Sequence, residues 1–122
     1  MSLDDVKAGD SATVDYEITK EMTVNRTGKE GADVLSTPWL LNLMELTCIE
    51  ATDGKLAPEM ASVGYAVDGL RHLAPTAIGA TVTVSVTLSA VDGKKFTYDI
   101  KAEEGGQQIG VANHRRAAIR AS

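Results

Sequence analysis

One cysteine, two histidines and a shortage of positive charge bound what this 122-residue chain can be. The lone Cys48 excludes an intramolecular disulfide and any multi-cysteine zinc site, and within its apolar surroundings it is expected as a small core residue. His72 and His114 lie far apart in sequence without a paired ligand motif, so no metal site is expected. Neither a dinucleotide fingerprint nor a P-loop occurs, so the chain is expected to work without a tightly held cofactor. A net charge of −5 and a pI near 4.9 argue against a nucleic-acid partner, because such proteins carry a basic surface that releases counterions from phosphates. No apolar run approaches the roughly 20 residues of a membrane span. The N-terminus lacks a charged-then-apolar leader pattern, which makes the cytoplasm the expected location.

What remains is ordinary for a soluble globular protein, with 43% hydrophobic and 24% charged residues. A chain of this length is expected to form one domain over residues 1–122. It is also short enough that pairing with a second copy would improve its ratio of surface to volume, so a homodimer or a dimer of dimers is expected.

The pattern along the chain is one strand, one long helix and then four strands. Ala12, Val14, Tyr16 and Ile18 alternate with polar neighbours as in a half-buried strand, which Met22 and Val24 are expected to prolong. Asn25 to Asp33 reads as a loop. Ser36-Thr37-Pro38 matches a hydroxyl N-cap followed by proline at the start of a helix that ends by Gly54. Trp39, Leu40, Leu41, Leu43, Met44 and Cys48 cover one broad face of that helix, and Leu46 and Ile49 intrude on the other. A helix apolar almost all round is built to be wrapped, so a partner subunit is expected over its second face. Ala61 to Leu73, Thr81 to Val91, Phe96 to Ala102 and Gln108 to Ile119 read as strands, with an Asp92-Gly93 hairpin between the second and third of these. This order predicts an α+β hotdog fold, a long central helix packed on a five-stranded antiparallel sheet.

Three residues carry candidate chemistry. Glu45, between Met44 and Leu46, would be a good proton acceptor if the helix is wrapped, or a solvent-facing glutamate beside Asn42 and Glu50 if it is not. Thr37 offers a hydroxyl as nucleophile or as donor to a carbonyl, unless it serves as the N-cap. His72, near a strand end before the Pro75 turn, suits acid–base work, although a lone histidine is also common as a structural residue. Eight helical residues separate Thr37 from Glu45, a rise of about 12 Å, so a site using both would lie across a dimer axis. Gly64, inside a strand, permits close approach of a ligand or marks an ordinary bulge. The basic cluster His114-Arg115-Arg116 reads either as the solvated flank of an edge strand or as a contact for phosphate.

From about Val34 to Ile119 these residues resemble the fluoroacetyl-CoA thioesterase family of the hotdog superfamily. The likeness lies in the spacing of Thr37 to Glu45, the Leu43-Met44-Glu45-x-x-Cys48 helix core, Val63-Gly64 followed by His72 and the Pro75/Gly79 turn, and the closing Ile109-Gly110-x-x-x-His114-x-Arg116-Ala117 segment. The resemblance implies hydrolysis of a small acyl-CoA thioester by Thr37, Glu45 and His72, with Gly64 helping to position the thioester carbonyl. His72 would act as general base toward water or the threonine hydroxyl, and Glu45 would activate the nucleophile or attack the thioester itself. Arg71, Arg115 and Arg116 are the basic residues available for the CoA phosphates. This chain has one residue more between Gly64 and His72 than the family pattern, which requires a bulge near Asp68-Gly69. The phenylalanine gate of the fluoroacetyl specialist has no counterpart across Thr27 to Leu35, so selectivity for a fluorinated acyl group is not expected. The alternatives to hydrolysis are a non-catalytic acyl-CoA-binding module and an enoyl-thioester hydratase.

Overall fold

The computed structural model describes residues 5–121. Seven strands and one α-helix follow in the order β1 (Ser11–Glu17), β2 (Thr23–Val24), β3 (Val34–Leu35), α1 (Thr37–Thr52), β4 (Met60–His72), β5 (Thr81–Asp92), β6 (Lys95–Glu104) and β7 (Gln107–Arg120). Five of the strands form an antiparallel sheet ordered β1-β5-β6-β7-β4, and β2 pairs with β3 in a separate ribbon. Tight hairpins join β5 to β6 and β6 to β7, the first at Gly93, whose φ of 61° supplies the left-handed turn that the Asp-Gly pair predicts. Among the described residues no helix is long and apolar enough to cross a membrane.

The expected prolongation of the first strand through Met22 does not occur. Ile18 is 1% exposed and exchanges backbone hydrogen bonds with the Gly79–Ala80 turn. That anchor ends β1, and the chain then makes a short 3-10 turn over Lys20–Met22 before entering β2.

The helix lies on one face of the sheet because alternate side chains of β5 and β6 point toward it. Val82, Val84, Val86 and Leu88 meet Phe96, Tyr98, Ile100 and Ala102, all buried, beneath Leu40, Leu43, Met44 and Cys48 of α1. Each of these larger side chains contributes about 1.5–3 kcal/mol by leaving water. Gly110 sets how closely helix and sheet approach, since a Cβ there would stand 2.9 Å from Leu40 Cδ2 and 3.2 Å from Met44 Cε. Hydroxyl pairs satisfy the polar groups in the layer, Tyr16 with Thr47 at 2.9 Å and Tyr98 with Thr52 at 2.7 Å. Burial pushes the Tyr98 phenol up to about 12 and the Cys48 thiol to about 12, so both stay protonated core residues.

The second face of α1 is uncovered within this single chain. Leu46 is 44% exposed, and Val63, Tyr65 and Val67 of the edge strand β4 are likewise open. β4 is irregular against β7, with register shifts between Gly64 and Ala66 and between Asp68 and Arg71. The second shift is the bulge that the Gly64-to-His72 spacing requires, and Gly69 stands there with φ 61°. The first shift, at Tyr65, directly follows Gly64, so both readings of that glycine, a bulge and a close approach, hold.

Candidate active site

Two hydroxyl residues precede Pro38, and the structure divides the work between them. Ser36 caps the helix, its Oγ accepting from Trp39 N at 3.3 Å. The Thr37 hydroxyl is therefore free of capping and bonds His72 Nδ1 at 2.8 Å. His72 is the last residue of β4, opposite Gly110 of β7, so the strand end and the helix start meet at one point. Burial lowers the His72 pKa below its ordinary value and favours the neutral ring. Its Nε2 is buried without a hydrogen-bond partner among the described residues. An unmatched buried nitrogen costs about 1–3 kcal/mol, a cost that an incoming polar group would remove. The pair opens onto a cleft of about 370 Å³ walled by Val24, Val34, Leu73 and Pro75.

Glu45 lies in a second cluster, two turns further along α1. Its side chain is 35% exposed, and Oε2 accepts from Arg116 Nη1 at 3.3 Å with His114 Nε2 3.6 Å away. Both partners come from β7, where Ala112, His114, Arg116 and Ala118 all face the helix. Arg116 is 4% exposed and spends its remaining bonds inside the protein, donating from Nε to Ser62 Oγ at 2.8 Å and from Nη2 to Ser62 O at 2.9 Å. Ser62 is held in turn by Asp53, to which it donates from Oγ at 2.7 Å and from N at 3.0 Å. His114 donates from Nδ1 to Ala66 O at 2.9 Å and is shifted below its ordinary pKa mainly by burial.

Gly64 makes this convergence possible. A Cβ there would lie 2.8 Å from His114 Cε1 and 3.1 Å from Glu45 Oε2, so only glycine leaves room for both side chains against the β4 backbone. Glu45, Gly64, Tyr65, Val67 and His114 line a pocket of about 290 Å³.

The expected site residues thus fall into two groups within one chain. Thr37 meets His72 in the first cleft, and Glu45 meets Gly64 in the second. Arg71 and Arg115 are exposed, and Arg115 makes a long contact of 3.9 Å with Asp68. The reading of β7 as an edge strand is corrected, because β7 runs between β6 and β4 and both His114 and Arg116 are buried. Arg116 was also expected among the phosphate contacts; its side chain is turned inward and bound to Ser62, Glu45 and His114. Sequence reasoning missed the partnership of His114 with Glu45, and with it Ser62 and Asp53. The signal was the shared parity of His114 and Arg116 with Ala112 and Ala118, which marks an inward-facing row.

Residues 18–122 match the model of the family described as fluoroacetyl-CoA-specific thioesterase. The fluoroacetyl-CoA thioesterase of Streptantibioticus cattleyicolor is 31% identical over 122 residues, 95% of this chain and 87% of that protein. A crystal structure of the fluoroacetyl-CoA thioesterase superposes with a TM-score of 0.85 at 30% identity, covering 95% of this chain and 90% of the other. A hot-dog-like protein from Thermanaerovibrio acidaminovorans gives a TM-score of 0.85 at 24% identity over 97% and 87% of the two chains, a likeness of fold. Fold and family match together define a hotdog protein of the thioesterase class. The chain belongs to the fluoroacetyl-CoA-specific thioesterase family.

Proposed function

We propose that this protein hydrolyses a small acyl-CoA thioester to the free acid and CoA, using Thr37, Glu45 and His72 as one domain spanning residues 1–122. The observation that carries the reading is the 2.8 Å bond between Thr37 Oγ1 and His72 Nδ1 at the head of the helix that also bears Glu45. His72, neutral at physiological pH, accepts a proton from water or from the Thr37 hydroxyl as the nucleophile adds to the thioester carbonyl. Collapse of the tetrahedral intermediate breaks the C–S bond and releases CoA as thiolate, which takes up the proton. Where Thr37 is the nucleophile, the acyl group is left as an ester on its Oγ1, and a water activated by His72 then hydrolyses that ester to the free acid and the restored hydroxyl. Glu45 either activates the water or attacks the carbonyl to give an anhydride that water then opens.

The active unit is a homodimer, alone or within a dimer of dimers. Support comes from the open edge of β4, which carries exposed Val63, Tyr65 and Val67 beside the uncovered Leu46. Pairing two such edges would join the sheets and bring the Thr37–His72 cleft of one copy toward the Glu45 pocket of the other. Arg71 and Arg115, both exposed, are the residues we assign to the CoA phosphates, and Gly64 and Arg116 to the placement of Glu45. The absence of phenylalanine from Thr27 to Leu35 supports a non-fluorinated acyl group, and we place the activity in the cytoplasm.

Thiol release over a panel of short, branched and aromatic acyl-CoAs tests the reading, with wild type set against Glu45→Ala and His72→Ala. Turnover abolished by both substitutions in folded protein is the expected result. Binding without thiol release across the panel would instead favour an acyl-CoA-binding module, and with an enoyl-CoA added to the panel, loss of its double bond with the thioester intact would favour a hydratase.

A further inference from the structure

His114 is a buried titratable group that the proposed reaction leaves unused. It is 1% exposed, and both ring nitrogens are engaged, Nδ1 with Ala66 O at 2.9 Å and Nε2 with Arg116 Nη1 at 3.1 Å. A carbonyl only accepts and a guanidinium only donates, so Nδ1 carries the proton and Nε2 presents its lone pair. The ring is therefore neutral and in the Nδ1–H tautomer. Burial, the largest influence on this ring, favours the same neutral state, while the Glu45 carboxylate acts in the opposite sense. The other groups facing it are Arg116 on its own strand and the Tyr98 phenol ring of β6, stacked at 6.3 Å, while β4 offers the Ala66 carbonyl and the Gly64 backbone.

The consequence runs through Arg116. Its Nη1 has two hydrogens, one directed to His114 Nε2 and the other to Glu45 Oε2 at 3.3 Å. Ser62 fixes the opposite edge of the same planar group. We propose that neutral His114 is a positioning residue for Glu45, its Nε2 lone pair orienting the Arg116 edge that holds the carboxylate. A proton on Nε2 would set N–H against N–H and turn that edge away. The kinetic part of this proposal rests on the thioesterase reading, and the tautomer part does not.

Two substitutions separate positioning from packing. His114→Asn keeps an amide N–H near the place of Nδ1, and so the bond to Ala66, but offers Arg116 no acceptor. His114→Gln extends an oxygen toward the place of Nε2 and gives up Ala66. The expected outcome is a fall in kcat on the order of 10- to 100-fold for the asparagine variant at little changed KM, the size of loss that misplacement of a reacting group causes, with most of it recovered by glutamine. The reverse order, or equal losses that follow the melting temperature, would overturn the proposal. Nitrogen-15 NMR of the wild type at neutral pH reads the tautomer without any substrate. A bare Nε2 on His114 is expected, and an Nε2–H or doubly protonated ring overturns the proposal. A wild type that releases no thiol yet has the bare Nε2 counts against the thioesterase reading and for the Arg116 orientation.

Discussion

Gly64 and His114 approach so closely that a single methyl group on the glycine would stand 2.8 Å from the imidazole Cε1. His114 is buried and tied to Ala66, so it cannot retreat easily, and Glu45 Oε2, 3.1 Å from the same methyl position, would have to swing aside. Gly64→Ala is therefore expected to destabilise the protein by about 1–3 kcal/mol, the range for an overpacked site. It should also displace Glu45 and lower kcat more than it raises KM. Chemical denaturation alongside thiol-release kinetics checks both, and an alanine variant with wild-type turnover would dissociate Gly64 from the site.

The Ser36 cap links stability to the reacting hydroxyl next to it. Ser36→Ala removes the acceptor for Trp39 N and is expected to cost about 0.5–2 kcal/mol. With the first turn loosened, Thr37 loses its fixed distance to His72, so kcat should fall several-fold. Asparagine at the same position supplies a replacement cap and should restore both stability and rate.

His72 and His114 give the protein a specific acid sensitivity. Both have folded pKa values below the ordinary 6.5, with burial as the largest cause. The unfolded chain thus takes up these protons first as the pH falls. The contribution of each ring is full above 6.5 and is lost as the pH drops toward the lowered folded value. Melting temperature measured between about pH 5 and 8 should decline on the acid side of that window, and His72→Gln should flatten the His72 share of the decline.

The open β4 edge predicts an assembly that a charge can break. Val63 is 41% exposed on that strand, and Val63→Lys should favour the monomer in sedimentation experiments. If the site is shared between copies, thiol release falls in step with the loss of dimer. A wild type that is monomeric and fully active would refute the shared site.

Much of the fold was legible because its signals are local. Val82, Val84, Val86 and Leu88 alternate without interruption, the Asp92-Gly93 turn follows, and Pro38 marks the helix start, so three elements and their faces could be read directly. The candidate site was legible only in part. Two adjacent hydroxyls competed for one cap, and only the three-dimensional path shows that Ser36 takes it and leaves Thr37 to His72. Arg115 and Arg116 are chemically identical neighbours, and their opposite environments depend on which face of β7 is covered by the helix. The bulge after Gly64 was legible only as one of two readings of a strand glycine, whereas the Gly69 bulge could be inferred from spacing.

From Gly64 to His72 the chain advances eight residues along β4 while its partner β7 advances six, from Arg116 to Gly110, and the two surplus residues sit at the bulges. Length and register are thereby uncoupled in β4. A single-residue insertion or deletion between Gly64 and His72 can be absorbed as a bulge gained or lost, with both ends still paired to the same inward-facing partners of β7. β4 is consequently a place where a lineage can vary chain length beside the reacting groups without losing their alignment.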